Sequence, residues 1–183
     1  MQNISFVFSG SGGQGVITAA ILLAEAAVSY EGLNAVQSQA YGAEARGGAS
    51  RSDVIISEQD IYFPEVHVPN YLVTLTQQAY DKFYPLIKSN GTIIADTRYV
   101  KDFMKASGAL IKLPLYYRVM EEIGNPIVLN ICTLGAVIEI TKVVNPESII
   151  AVLKQRMNPD YLDMNCKALE LGRAIVVEWQ KLI

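Results

Sequence analysis

The sequence predicts an α/β sandwich, with helices on both faces of a largely parallel sheet. Three observations carry this. Short apolar runs of strand length alternate with helical text as far as Pro114. Beyond Pro114 only helical periodicity remains, so the last third of the chain is helical. The junction between the first strand and the first helix is glycine-rich, where such folds make their first turn.

Residues 4–9 alternate and cluster apolar side chains as a buried strand does. Residues 16–30, rich in Ala, Ile and Leu, form a helix that Gly32 closes. A second short strand covers residues 34–37, and residues 38–50, SQAYGAEARGGAS, carry no period of their own. Residues 52–57 (SDVIIS) and 72–76 are further strands, the former a candidate for antiparallel pairing. Helical text at 77–87 is interrupted by Pro85. Two buried strands at 91–96 and 109–113 flank a helix expected at 100–106. Four helices follow, at 116–123, 127–141, 147–157 and 161–182. Asn145-Pro146 and Asn158-Pro159 mark two of their starts, with Pro at the first helical position. No repeat, linker or low-complexity tract divides the chain, so residues 1–183 are expected to form a single domain.

Composition narrows the function classes. Hydrophobic residues make up 51% and charged residues 18%, a balance that fits a well-filled core or large subunit interfaces. No apolar run is long enough to span a membrane, and Met1-Gln2-Asn3-Ile4 lacks the pattern of a signal peptide, so a cytoplasmic location with no membrane partner is expected. A net charge of -3 with no basic block argues against a nucleic-acid partner. Two cysteines, Cys132 and Cys166, are too few for an iron–sulfur cluster or a four-ligand zinc site. His67 is the one histidine, which leaves little material for a Ser-His-Asp triad or a His-based metal site. Redox chemistry that this protein joins must therefore be carried elsewhere.

Gly10-Ser11-Gly12-Gly13-Gln14-Gly15 satisfies G-x-G-x-x-G between the first strand and the first helix. Glycines there allow positive φ and close approach to the backbone, and the free N–H groups of a helix start favour an anion. A dinucleotide site also needs an acid at the end of the second strand to hold the ribose hydroxyls. That strand ends Val36-Gln37-Ser38, and Glu31, at a suitable offset, falls in the turn before it. No Lys-Ser or Lys-Thr follows the loop, which removes a Walker A reading. The residues leave open anion or cofactor-tail binding, or close packing of another chain's backbone.

The second glycine segment, Tyr41-Gly42-Ala43-Glu44-Ala45-Arg46-Gly47-Gly48, pairs an acid with a base across a flexible stretch. A surface loop with a weak Glu44–Arg46 pair is the plain reading. A long connection without its own structure is more often functional, and Arg46 between small residues suits a carboxylate or phosphate. Following the second strand, it should emerge on the same sheet edge as the first turn, so that both form one surface.

GSGGQGV, then YGAEARGGASRSDVIIS, then Pro64-Glu65-Val66, resemble the gamma subunit (gamma domain) of 2-oxoacid:ferredoxin oxidoreductases. The likeness spans nearly the whole chain, including Asn130 with Leu134-Gly135-Ala136. It implies a Rossmann-like three-layer α/β/α unit in a complex that oxidatively decarboxylates pyruvate, 2-oxoglutarate or branched-chain oxoacids to acyl-CoA and reduces ferredoxin. Thiamine diphosphate, Mg2+ and the iron–sulfur clusters would sit on alpha, beta and delta subunits, and coenzyme A would arrive near the interface between gamma and alpha. The signature falls on Gly10, Gly12, Gly13, Gln14 and Gly15, and on Tyr41, Gly42, Glu44, Arg46, Gly47 and Gly48. Ala43 replaces a frequent Pro and Ile131 a frequent Met; neither replacement involves a charged residue. Tyr41 stands where the arylpyruvate branch has His, and its surroundings most resemble the 2-oxoglutarate branch. The resulting expectation is a subunit without catalytic residues, metal or cofactor of its own, able to self-associate when its partners are missing. A free-standing nucleotide-binding enzyme is the rival reading; the missing ribose acid separates it from the first. A pure scaffold is the third, and ligand binding by the isolated chain would separate that one.

Other residues have plainer readings. Glu58, Asp60 and Glu65 around Tyr62-Phe63 fit a solvated hairpin edge better than a metal site. His67 reads as a hydrogen-bonded loop residue. Tyr116-Tyr117-Arg118 could stack on an adenine, but an aromatic pair at a helix start more often fills an interface or core, and Trp179 reads as a packing anchor.

Overall fold

The chain runs β1 (Ile4–Gly10), α1 (Val16–Tyr30), β2 (Asn34–Ala40), β3 (Ser50–Ser57), β4 (Tyr71–Thr74), α2 (Gln77–Phe83), β5 (Thr92–Asp96), β6 (Ala109–Leu113), α3 (Leu115–Glu122), α4 (Leu129–Thr141), α5 (Pro146–Arg156) and α6 (Pro159–Gln180). This is a computed structural model describing residues 3–40 and 49–182. Single turns of 3-10 helix at Tyr84–Leu86 and Pro126–Val128 each begin around a proline. The six strands form one sheet in the order β2-β3-β1-β4-β5-β6. β4 pairs parallel with β1 and β5, and β5 with β6, whereas β3 runs antiparallel between β1 and β2. The antiparallel strand expected at SDVIIS is therefore present, and the rest of the sheet shares one direction.

Strand alternation sorts the core into two layers. Phe6 and Phe8 of β1, Val54 and Ile56 of β3, Val73 of β4 and Ile94 of β5 face the larger core, beneath α1 and the C-terminal helices. Val7, Ile55, Leu72 and Ile93 face the smaller one, covered by Ala79, Tyr80 and Phe83 of α2. Trp179, partly buried, packs against the larger core, as its place on the last helix implies. Helix starts follow the sequence signals: Thr76 Oγ1 accepts the Ala79 N–H, Asn158 Oδ1 accepts the Asp160 N–H, and proline opens α5 and α6.

The helix expected at 100–106 does not form. Gln77 Oε1 accepts the N–H groups of Lys101 and Asp102 at 2.8 and 3.0 Å, and its Nε2 donates to the Asp102 carbonyl at 2.8 Å. The Tyr80 hydroxyl donates to the Met104 carbonyl at 2.9 Å. Side chains of α2 thus take backbone groups that helical hydrogen bonds would have used, and lay the segment over the smaller core.

α4 is buried from Leu129 to Glu139 because α6 crosses it backbone to backbone. A Cβ at Gly172 would lie 1.8 Å from the Cys132 carbonyl oxygen, and one at Gly135 would lie 2.1 Å from that of Leu169. Glycine is required at both positions for this close approach.

Strand register also aligns one edge of the sheet. Ser9 pairs with Thr74, Thr74 with Ala95, and Asp96 with Leu113. The carboxyl ends of β1, β4, β5 and β6 therefore line up, and Ser50, opening β3, pairs with Gly10 at the same edge. In parallel α/β sheets this edge is where ligands bind.

Candidate functional site

The turn after β1 is fixed by side chains that the sequence pattern alone does not reveal. Gln14 Oε1 accepts the Ser11 N–H at 2.7 Å, and Gln14 Nε2 donates to the Leu75 carbonyl at 3.0 Å. Gln14, expected on a binding rim, thus ties the turn to the end of β4. Gly15 opens α1 with φ +70, and a Cβ there would sit 2.5 Å from Asn130 Nδ2 on α4. That nitrogen donates a long hydrogen bond, 3.4 Å, to the Gly15 carbonyl. A Cβ at Gly10 would meet Gln14 Oε1 at 2.5 Å. At Gly12 and Gly13, where the sequence implied close backbone approach, a Cβ would meet nothing within 4 Å in this chain. The steric demand therefore sits at Gly10 and Gly15, while Gly12 and Gly13 are exposed.

Beside the turn lies a cleft of about 320 Å³, lined by Gly13, Gln14, Tyr99, Asn125 and Ile127 among others. Asp96 anchors the turn that carries Tyr99, one of its lining residues. It is fully buried at the end of β5 and accepts the Arg98 and Tyr116 N–H groups, each at 2.7 Å. Burial raises its pKa, and those N–H bonds oppose the rise. Asp96 thereby fixes both the turn after β5 and the first turn of α3. Local pattern does not single out this carboxylate. Its signal was a charged residue ending a strand of otherwise apolar text.

The tyrosines considered as an adenine platform are already engaged. The Arg98 guanidinium lies over Tyr116 and Tyr117, 5.1 and 5.8 Å from the ring centroids, and Tyr99 meets Tyr116 edge-on at 5.4 Å. Arg118 bonds Glu122 and Glu178, which joins α3 to α6 and raises the arginine pKa.

A second cleft, about 470 Å³, opens where β2 ends and β3 begins, lined by Ser38, Arg51, Asp53, Glu65, Val66 and His67 among others. Arg51 grips Asp53 through two bonds of 2.6 and 2.8 Å, donates to the Val66 carbonyl and lies 5.3 Å from the Phe83 ring centroid. The two residues are two apart on β3 and so share a face. Strand period could have found this pair. His67 Nε2 lies 3.3 Å from Glu65, an exposed loop contact as expected of it.

Glu31 has a structural task. Its carboxylate accepts the Asn145 N–H at 2.7 Å, Asn145 Nδ2 at 2.9 Å and the Ser148 hydroxyl at 2.6 Å, capping α5. Desolvation pushes its pKa up, but these three bonds outweigh it and hold the group below the usual carboxylate range. It is thus committed away from the turn after β1. Insertion of β3 also places β2, which would carry a ribose acid, two strands from that turn.

Tyr41, Gly42, Glu44, Arg46, Gly47 and Gly48 lie outside the described residues. Their flanks are described: Ala40 pairs with Arg51 and Ser50 with Gly10, so the connection leaves and rejoins the sheet at the edge that carries the glycine turn. Cys132 is buried, and desolvation pushes its thiol up to about 12, which makes it inert. Among the described residues no three His, Cys, Asp or Glu side chains converge as a metal site, and no helix is long and apolar enough to cross a membrane.

Residues 5–175 match the pyruvate ferredoxin/flavodoxin oxidoreductase family. The 2-oxoglutarate synthase subunit KorC of Methanothermobacter marburgensis is 38% identical, across 94% of this chain and 96% of its own. The pyruvate synthase subunit PorC of the same organism is 28% identical, across 92% of this chain and 95% of its own. The crystal structure of the gamma subunit of a keto/oxoacid ferredoxin oxidoreductase from Geobacter sulfurreducens superimposes with a TM-score of 0.87 at 35% identity, covering 96% of this chain and 99% of that one.

Proposed function

This chain belongs to the pyruvate ferredoxin/flavodoxin oxidoreductase family, and from that membership we propose that it is the gamma subunit of a 2-oxoglutarate:ferredoxin oxidoreductase complex. Such a complex oxidatively decarboxylates the oxoacid to its acyl-CoA and passes the electrons to ferredoxin. The choice of oxoacid is carried by one contrast within a single organism: 38% identity to its 2-oxoglutarate synthase subunit against 28% to its pyruvate synthase subunit, over nearly equal lengths.

The subunit's own part is assembly and the coenzyme A side of the site. Thiamine diphosphate, Mg2+ and the iron–sulfur clusters belong to its alpha, beta and delta partners, in the cytoplasm. Two cysteines, one of them buried with a raised pKa, support that division. The rim consists of the turn at residues 10–15 and the connection at 41–48, whose flanks reach one sheet edge. Within it Arg46 meets a coenzyme A phosphate or a partner carboxylate, with Glu44 orienting it. Loss of one charge-assisted contact costs about 1.5–3 kcal/mol, roughly tenfold to a hundredfold in the affected step.

The test begins with affinity purification of the tagged chain from its native extract. Thiamine diphosphate and iron–sulfur subunits should accompany it, and the preparation should reduce a viologen dye with coenzyme A and 2-oxoglutarate faster than with pyruvate. A lone monomer, or a preference for pyruvate, overturns the proposal. In the reconstituted complex, Arg46→Ala should raise the Michaelis constant for coenzyme A with decarboxylation in its absence unchanged. If Arg46 serves assembly, both activities fall together as subunits separate. If neither changes, the connection is packing alone.

A further inference from the structure

The connection between β3 and β4, residues 58–70, is fastened to the sheet along its length. Ser57 Oγ accepts the Gln59 N–H at 3.0 Å where the connection begins. Ile61 packs against the smaller core, and Val66 is buried in it, with the Val66 carbonyl held by Arg51. At the far end the Asn70 side chain accepts the Ser5 N–H, and the Asn70 N–H donates to the Ser5 carbonyl, each at 3.0 Å.

Between the anchors Ile61 and Val66 the backbone projects Tyr62, Phe63, Pro64 and Glu65, all exposed. Tyr62 and Phe63 are 80% and 85% exposed, although Ile61 and Val66 already make the connection's contacts with the core. Folding gains little from two aromatic rings in that position, and water is a poor neighbour for them. The surrounding charge has one sign. From Ser52 to Asp81 the sequence holds Asp53, Glu58, Asp60, Glu65 and Asp81 but neither lysine nor arginine. The cations that bound this stretch are engaged: Arg51 grips Asp53, and Lys82 lies 5.5 Å from the Phe83 ring centroid.

From this pair of exposed rings on a clamped, acidic connection we propose that residues 60–65 dock into another protein subunit, in an apolar pocket edged by lysine or arginine. The inference rests on the gamma-subunit reading, which supplies the partner subunits. Aromatic rings on a fixed backbone lose little rotamer freedom on binding, which suits them as central anchors. Asp60 and Glu65 flank the rings, where rim charges steer and select a partner. Their sign decides between classes of partner. An anionic lipid surface or a nucleic acid would be repelled. Two copies of this connection meeting about a two-fold axis would set acid against acid.

The test is competitive assembly. Wild-type and variant chains of distinguishable mass are produced together with the other subunits, and the complex is isolated through a tag on one of those. Tyr62→Ser/Phe63→Ser should enter the complex about tenfold less than wild type, with its melting temperature unchanged. Asp60→Lys/Glu65→Lys should enter about threefold less. Val28→Ser, which also removes exposed apolar surface but on α1, should enter as wild type does. Equal entry of either double variant overturns the proposal, and the wild type in the same complex then leaves the gamma-subunit reading standing. A wild type that stays out of the complex removes that reading instead, and this inference with it. Should the aromatic variant lose stability, a photo-cross-linking amino acid in place of Phe63 must join a partner subunit beside a lysine or arginine. Cross-links to a second copy of this chain alone, or none, overturn the proposal equally.

Discussion

At the scale of single residues, the glycine turn separates what local pattern reveals from what it hides. G-x-G-x-x-G between a strand and a helix was legible, and so was the absence of a ribose acid. The tasks of Gln14 and Glu31 were not, because their partners Leu75, Asn145 and Ser148 are brought near by tertiary packing. Gly15→Ala tests this level. A Cβ at φ +70 costs about 1–2 kcal/mol, and the clash with Asn130 adds about 1–3 kcal/mol. Urea unfolding should show a loss of about 2–5 kcal/mol in all. In a double-mutant cycle, adding Asn130→Ala should recover most of the clash and leave the φ penalty, since only the Asn130 Cβ, 3.0 Å away, would remain. A loss under about 1 kcal/mol would show that the turn relaxes freely.

At the scale of elements, most strands and helices were readable because each keeps one period over its length. The expected helix at 100–106 shows the limit: its backbone partners come from Gln77 and Tyr80, on another element, so no local window contains the information. Tyr41, Gly42, Glu44, Arg46, Gly47 and Gly48 of the expected site lie outside the described residues and rest on the sequence alone. The α4–α6 crossing was legible as two helices but not as a contact, since glycine in a helix reads locally as a weakness. Gly172→Ala should therefore destabilise far more than helix propensity predicts. Adding a methyl 1.8 Å from the Cys132 oxygen forces the two backbones apart, at about 3 kcal/mol or more. The exposed neighbour change Ala174→Ser should stay within about 0.5 kcal/mol. Equal effects in chemical denaturation would refute the close crossing.

At the scale of the whole molecule, titration and association give two further predictions. Glu31 and Glu139 are each pushed up by burial, but hydrogen bonds from Ser148 and Asn145 and from Lys142 and Arg173 prevail, and both carboxyls are held below their ordinary value. The folded state then binds fewer protons than the unfolded one, so their stabilisation is complete above the ordinary carboxylate range and is lost as pH falls through it. Asp96, shifted upward, works in the opposite sense. Stability measured from about pH 6 to about pH 3 should decline, and Glu31→Gln should flatten that decline. An unchanged slope would remove Glu31 from the account. The second prediction concerns partners. Tyr62 and Phe63 are 80% and 85% exposed, and Ile127 is 70% exposed, on a chain with 18% charged residues. Such surface is normally covered. The isolated chain should self-associate in sedimentation and show no oxoacid oxidation; a clean monomer at high concentration would count against covered interfaces.

The glycine contacts between α4 and α6 also set an order of opening. Where two helices meet backbone to backbone, Cα–H groups can face carbonyl oxygens directly, and solvent has no path to the amides between them. The middle of α4, around Cys132 and Ala136, should then exchange its amide hydrogens only when the entire molecule unfolds, while the turn at residues 10–15 exchanges through small local fluctuations. The slowest-exchanging core would thus lie in the helices behind the sheet, and the edge that carries the glycine turn could breathe without loosening it.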